Sequence, residues 1–476
     1  MIALTLAEIA AAVSGRLLGE IDPTTVVRGS VETDSRLVSD GSIFFALPGE
    51  VTDGHLFAPT AAFLGASVVI VERELELSTP QILVADGVTA LADLAREVVS
   101  RVRAVGELRV VGITGSNGKT TTKNLLNAIL SAERPTVAPA GSFNNHVGAP
   151  MTMLRIDEST RYLIVEMGAS HRGEITRLVD MARPDIGVVL KVGLAHAGEF
   201  GGVDAVQEAK SEMVTDLPPD AVAVLHRDDP RVAQMADRTA ARIVWFGQHP
   251  EADVRAENVT VTARGTEFTL IVDGVRRDVS LQILGEHHVA NALAALAVAR
   301  ELGVPIERAV AALGGVERAE RWRMERLDPG NGVIVINDAY NASPDSTAAA
   351  LKTLVQILQP GERSVAVLGE MAELGEFAPE EHDRLGHLAV RLNIGKLVVV
   401  GEAARRIHSA AELEGSWDGE SVHVADADAA YDLLREELRP GDVVLVKSSK
   451  SAGLRFLGDR LGAPASTGSE GGVGAA

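Results

Sequence analysis

Between residues 108 and 246, short runs of aliphatic and β-branched residues alternate with longer stretches whose apolar positions recur every three or four residues. LRVVGI, YLIVEM, DIGVVL, AVAVL and RIVWF are the runs, and TTKNLLNAIL, GEITRLVDMA and VDAVQEAKSEMV are among the stretches between them. A strand that is apolar on both faces needs cover on both faces, and a helix is the connection that brings the chain back to start a parallel neighbour. The alternation therefore predicts an α/β domain with a parallel sheet between helical layers. A second series of the same kind, VIVIND, SVAVLGE, KLVVVG, SVHVAD and DVVLVKS, predicts a Rossmann-like doubly wound domain near the C-terminus, with helices over 346–358, 380–392, 403–411 and 427–438.

Two other regions break the rhythm. Residues 1–105 mix short strands at 41–47, 66–71 and 81–84 with helices at 6–13, 58–64 and 90–103, which reads as a smaller α/β module. Residues 253–284 contain VTVTA, Arg264-Gly265 and TEFTLIVDG, a polar-alternating hairpin that predicts an antiparallel appendage on the central domain. The expected organisation is three domains, 1–105, 106–316 and 317–461. The remaining 462–476, GAPASTGSEGGVGAA, has nothing to bury and is expected to be disordered.

Composition narrows the function. With 45 Lys and Arg against 66 Asp and Glu, a net charge of −21 repels phosphate backbones and excludes a general nucleic-acid partner. The absence of cysteine removes disulfides, thiolate nucleophiles and thiolate-bound metals, so any metal must sit on oxygen or imidazole. The N-terminal segment carries acids among its apolar residues and no run of eighteen apolar residues occurs, so neither a secretory leader nor membrane insertion is expected and the cytoplasm is the expected compartment.

After the run LRVVGI come Gly115, Ser116, Asn117, Gly118, Lys119, Thr120 and Thr121, followed by an apolar-periodic helix. A glycine-rich turn feeding a helix N-terminus presents backbone N–H groups to a polyphosphate, and a lysine reaches its terminal groups. The usual spacing of such loops asks for glycine five residues before Gly118, where this chain has Ile113, so strand-loop-helix context carries the reading. Thr120 is placed to offer its hydroxyl to magnesium. Glu166 closes the run YLIVE, and carboxyl ends of parallel strands are where open α/β sheets bind ligands. His196 follows DIGVVLKVGLA beyond another strand; a lone histidine is more often structural than a ligand. Lys210 stands beside the apolar face Val203, Val206, Ala209 and Met213 of its helix, where a lysine ordinarily snorkels to solvent.

Taken together these residues resemble the Mur ligase family, which couples ATP cleavage to amide-bond formation on the peptidoglycan precursor. The family's phosphate loop is the shortened form seen at 115–120. The resemblance implies ATP with Mg, or Mn in its place. It also implies metal contacts at Thr120, Glu166 and His196, and a carbamylated Lys210 as an anionic metal partner. SFNNHVGAPMTML, EMGASHRGEI, NDAYNASPDS and GEMAELGE further resemble the members that take UDP-N-acetylmuramoyl-tripeptide and D-alanyl-D-alanine. TDSR, FFALPGE and DGHLF resemble the precursor-binding module, which implies that Ser35, Arg36, Asp53 and His55 face the uridine-nucleotide substrate, with Asn144, Asn145 and His146 also on the precursor side. Asn291 resembles an adenine contact, Arg323 a phosphate contact and Asp338 a ribose contact. Lys447, Ser449 and Lys450 match a stretch on the D-alanyl-D-alanine side. Lys191, His288 and Lys450 depart from the family's usual residues. A monomer that is open before ATP binds is the expected state. A single-amino-acid-adding relative, a P-loop kinase and a non-catalytic nucleotide-binding scaffold are the alternative readings.

Overall fold

The computed structural model describes all residues except Glu20, Glu50, His196, Ser416 and 465–476, so the expectation of a disordered tail falls almost wholly outside the described residues. Three main sheets organise the chain. In the first, strands run in the order Arg16–Leu18, Gln81–Leu83, Val68–Val71, Ile43–Phe45 and Val31–Glu32; all pairings are parallel except that of Arg16–Leu18. The helix Gly87–Val105 follows, capped by the Asp86 carboxylate accepting from the Thr89 N–H. Its apolar stripe of Leu91, Leu94, Val98 and Val102 shares one hydrophobic core with Ile43 and Ile82 of the first sheet and with Val110, Leu163 and Leu178 of the second domain. Each such side chain contributes roughly 1.5–3 kcal/mol when fully buried, so this helix ties the first domain to the second through a shared core.

The second sheet has nine strands. Its strand Arg109–Thr114 lies between Tyr162–Glu166 and Ile186–Val189, all parallel, so the chain order reverses at the end of Arg109–Thr114. That reversal opens a crevice at the carboxyl ends of the strands, and the loop 115–118 occupies it. The expected antiparallel appendage on the central domain is present over 253–284, with one strand more than a hairpin. It forms three strands, Val254–Thr262, Gly265–Val272 and Val275–Leu281, and the first of them pairs in parallel with Arg242–Gly247, which makes the antiparallel part a continuation of the same sheet. The third strand, VRRDVSL, escapes pattern reading because only its last residues are buried. Asp273 and Gly274, with φ of 50° and 74°, form the tight turn that DG favours.

The third sheet runs Glu325–Leu327, Ile334–Asn337, Asp442–Lys447, Arg363–Leu368, Lys396–Val400 and Glu420–Val424, antiparallel only at its first pair. The last strand in the chain inserts between two earlier ones, and its carboxyl end places Lys447 beside Asp338. No helix among the described residues is long and apolar enough to cross a membrane.

The expected open arrangement is not the one observed. The third domain is seated on the phosphate-loop domain through Ser343 Oγ donating to Asn117 Oδ1 at 3.1 Å, Lys191 Nζ to Asp345 Oδ1 at 3.2 Å, and the Gly198 N–H to the Glu373 carbonyl at 3.2 Å. Gly193 and Gly198 allow this approach: a Cβ on Gly193 would fall 2.3 Å from Asp345 Oδ2, and one on Gly198 2.5 Å from the Gly375 backbone. Lys191, a departure from the family pattern, thus makes an interdomain ion pair.

Candidate active site

The strand Arg109–Thr114 delivers the chain to Gly115, and the helix Lys119–Ser131 takes it away. Gly118 adopts φ 88° at the helix start, a left-handed conformation that side chains resist, and a Cβ there would lie 2.3 Å from Asn291 Oδ1. Both observations require glycine. Ser116 Oγ and the Gly193 backbone exchange hydrogen bonds at 2.9 and 3.2 Å, fixing the loop against the neighbouring strand's exit. Lys119 Nζ donates to the Gly115 carbonyl at 2.7 Å, curling over the loop. Burial holds this lysine below the usual lysine range, with Glu166 opposing and Arg323 reinforcing the shift.

In-register pairing from Tyr162 opposite Arg109 to Glu166 opposite Ile113 carries the Glu166 carboxylate to the loop. Glu166 is 1% exposed. Thr120 Oγ1 donates to its two oxygens at 3.1 and 3.4 Å, and Asn144 Nδ2 donates to Oε1 at 2.8 Å. A buried carboxylate and a hydroxyl at a phosphate loop are hard oxygen donors of the kind magnesium selects, so these residues fit that ion. Lys210, 2% exposed on the helix Val203–Thr215, has its ammonium 5.6 Å from the centre of the Phe200 ring. Its pKa is pushed down to about 7 by burial first and by the Lys119 charge second, against Glu174 and Glu212. His196 lies outside the described residues.

Lys119, Thr120, Glu166 and Asn144 border a cleft of about 650 Å³ whose walls come from all three domains, and Lys210 is not among its lining residues. Thr89, Asp93 and Arg96 represent the first domain; Lys119, Glu166 and Asn144 the second; and Arg323, Tyr340 and Asn341 the third. Arg323 stacks with its guanidinium 4.5 Å from the Tyr340 ring centre. It is flanked by Trp322 and Met324 at φ 59° and 48°, unusual for non-glycine residues and a form of strain that accumulates at functional sites. A second cavity of about 740 Å³ opens behind the loop, lined by Gly118, Lys191, His287 and Asn291. Asn291 Nδ2 and His288 Nδ1 are 3.1 Å apart, and both His287 and His288 are held neutral by burial, His287 at about 4.

The other expected site residues are distributed as follows. Asn144, Asn145 and His146 line the 650 Å³ cleft beside the phosphate loop, and Asn145 Oδ1 accepts from the Val147 and Gly148 N–H groups just where the helix Gly148–Met153 begins. Thr121 is buried in the helix start. Ser35, Arg36, Asp53 and His55 do not line that cleft. Arg36 is exposed and paired with Asp34. His55 is 3% exposed with both ring nitrogens engaged: Nε2 accepts from the Glu72 N–H at 2.9 Å, so Nδ1 carries the proton it shares with Asp53 at 2.7 Å. Asp338 and Lys447 bind each other at 2.6 Å, the other Asp338 oxygen accepting from the Met324 N–H. Ser449 Oγ accepts from the Ala372 N–H, and Lys450 stands exposed 5.8 Å from the Tyr340 ring centre.

Pattern reading missed Lys123, Ser142 and Tyr340. Lys123 is 1% exposed and donates to the carbonyls of Pro139 and Gly141 at 3.0 and 2.9 Å. Its one sequence signal is a position four residues after Lys119, on the same helical face.

Comparison with known proteins covers most of the chain. Residues 29–108 match the model "Mur ligase family, catalytic domain", 113–299 the "Mur ligase middle domain" and 322–450 the "Mur ligase, glutamate ligase domain". A UDP-N-acetylmuramoyl-tripeptide–D-alanyl-D-alanine ligase of Mycobacterium bovis is 45% identical, covering 98% of this chain and 99% of its own. A crystal structure of MurF from Acinetobacter baumannii superimposes with a TM-score of 0.87 at 32% identity, covering 97% and 99%. The MurF ligase of Thermotoga maritima in complex with ADP gives 0.79 at 28% identity, covering 91% and 97%.

Proposed function

The chain belongs to the Mur ligase family, and from that premise we propose that it joins D-alanyl-D-alanine to UDP-N-acetylmuramoyl-tripeptide at the expense of ATP, giving the pentapeptide precursor of peptidoglycan, ADP and phosphate. The observation that carries this reading is the convergence of Lys119, the Thr120–Glu166 pair and Arg323 on one cleft walled by three domains.

A carboxylate acylates an amine only after it acquires a better leaving group. The tripeptide carboxylate attacks the γ-phosphorus of ATP, ADP departs, and an acyl phosphate remains. Lys119 and Arg323 supply positive charge where the transferring group becomes most anionic, and the loop amides hold the other phosphates. Thr120 and Glu166, with His196 by resemblance, hold magnesium, which when bound offsets charge on the ATP phosphates. Lys210 acts as its carbamate: an amine brought down to about 7 is largely neutral at physiological pH, the form that adds to carbon dioxide. The D-alanyl-D-alanine amine then attacks the acyl carbon, and the tetrahedral intermediate expels phosphate. Seating of the third domain keeps water from the acyl phosphate.

The cavity walled by Gly118, His287 and Asn291 takes the adenosine end of ATP, and Asp338, whose carboxylate is held by Lys447 and the Met324 N–H, is a ribose contact by resemblance alone. Lys450 and Ser449 border the D-alanyl-D-alanine side. The turns bearing Ser35, Arg36, Asp53 and His55 take the uridine end, where Arg36 and the Asp53-paired Arg73 are exposed cations and His55 shapes the turn from within. ATP with a nucleotide-linked precursor supports a cytoplasmic reaction.

The test is incubation with ATP, magnesium, the tripeptide precursor and D-alanyl-D-alanine, with single omissions. Pentapeptide mass and phosphate release should require all four components. Phosphate released without D-alanyl-D-alanine, and no heavier precursor, would overturn the reading.

A further inference from the structure

One short segment of the second domain touches more of the machinery than its sequence suggests. Residues 139–144 are pinned at their base by the buried Lys123 ammonium on the Pro139 and Gly141 carbonyls. A buried charge is costly unless it is well compensated, so its place here fixes the segment firmly to the phosphate-loop helix. From that base two side chains reach in different directions. Asn144 holds the Glu166 carboxylate. Ser142 Oγ lies 2.6 Å from the Tyr340 hydroxyl of the third domain, and the Tyr340 ring carries the Arg323 guanidinium.

We infer that Ser142 and Tyr340 are positioning residues for the transfer step: their hydrogen bond clasps the third domain to the segment that orients Glu166, and so sets Arg323 and Glu166 in place together. Neither residue needs to touch ATP or the acyl group to do this. Asn124 makes a parallel tie from the phosphate-loop helix to Ala319 and Glu320 at the start of the third domain, so the clasp adds orientation to a contact that already exists. The kinetic consequence rests on the ligase reading above; the structural consequence does not.

A double-mutant cycle tests it. Tyr340→Phe keeps the ring beneath Arg323 and removes only the hydroxyl, and Ser142→Ala removes its partner. Each variant should lower kcat by about tenfold with the KM for ATP changed less than about twofold, and the double variant should be no slower than either single one, because all three lose the same bond. Thermal unfolding midpoints should follow the same non-additive cycle, a readout that holds whatever reaction the chain catalyses. Wild-type kcat in the single variants, losses that multiply in the double variant, or midpoint shifts that simply add would overturn the inference.

Discussion

Methionine in place of Lys119 lowers kcat for pentapeptide formation by about 10³-fold, the scale of removing a preorganised charge from the developing anion in a water-excluded site. The size of the effect follows from the surroundings. Lys119 curls over the loop to the Gly115 carbonyl, and Arg323 is a second cation acting on it from the cleft wall. One flexible cation cannot replace two that approach from different domains. The fold should survive, because the ammonium's one hydrogen bond among the described residues is to a single loop carbonyl. Thermal unfolding and ATP binding measured beside kcat separate the outcomes: a kcat within tenfold of wild type in a folded, ATP-binding variant would contradict the role.

Methionine at Lys210 costs about 10- to 100-fold in activity, the range found when groups that orient or tune a metal site are removed. In the wild type, ¹³C-bicarbonate should produce a carbamate resonance that is absent in Lys210→Met. Its pH dependence has a definite sign. Because the pKa is lowered, the amine is neutral above about 7 and charged below, so the carbamate should be present at pH 8 and vanish as pH falls through 6, whereas an ordinary lysine would not form one near neutrality. The two lysines are also coupled. The Lys119 charge helps to lower Lys210, so Lys119→Met should move the carbamate midpoint upward. No enriched resonance at pH 8 would remove the carbamate from the mechanism.

Much of this was legible in the chain because the chemistry restricts which residues can serve. Gly118 must be glycine for its backbone and for Asn291, Lys119 and Thr120 must follow at the helix start, and Glu166 must end the adjacent parallel strand. Apolar alternation likewise dictates two parallel sheets between helices. What stayed hidden depends on distant partners. Ser142 and Tyr340 are 198 residues apart, and nothing local to either marks their pairing. Lys123 looks like an exposed helix residue until the segment 139–141 folds over it. The strand Val275–Leu281 is half solvent-facing and so lacks the pattern of a buried one. The seated third domain was also not foreseen, since it depends on close backbone approaches at Gly193 and Gly198. Conversely, Asp338 and Lys447 were singled out for separate roles, and the structure shows them as one ion pair.

The central claim is that the cleft activates the precursor's carboxylate as an acyl phosphate. Precursor labelled with ¹⁸O in both terminal carboxylate oxygens tests this directly by mass analysis of the released phosphate. Attack on ATP by the carboxylate leaves a bridging ¹⁸O between carbon and phosphorus, and expulsion by the D-alanyl-D-alanine amine carries that atom away, so one ¹⁸O per phosphate is expected and the other remains in the new amide. Phosphate free of ¹⁸O, with pentapeptide formed, would contradict the account.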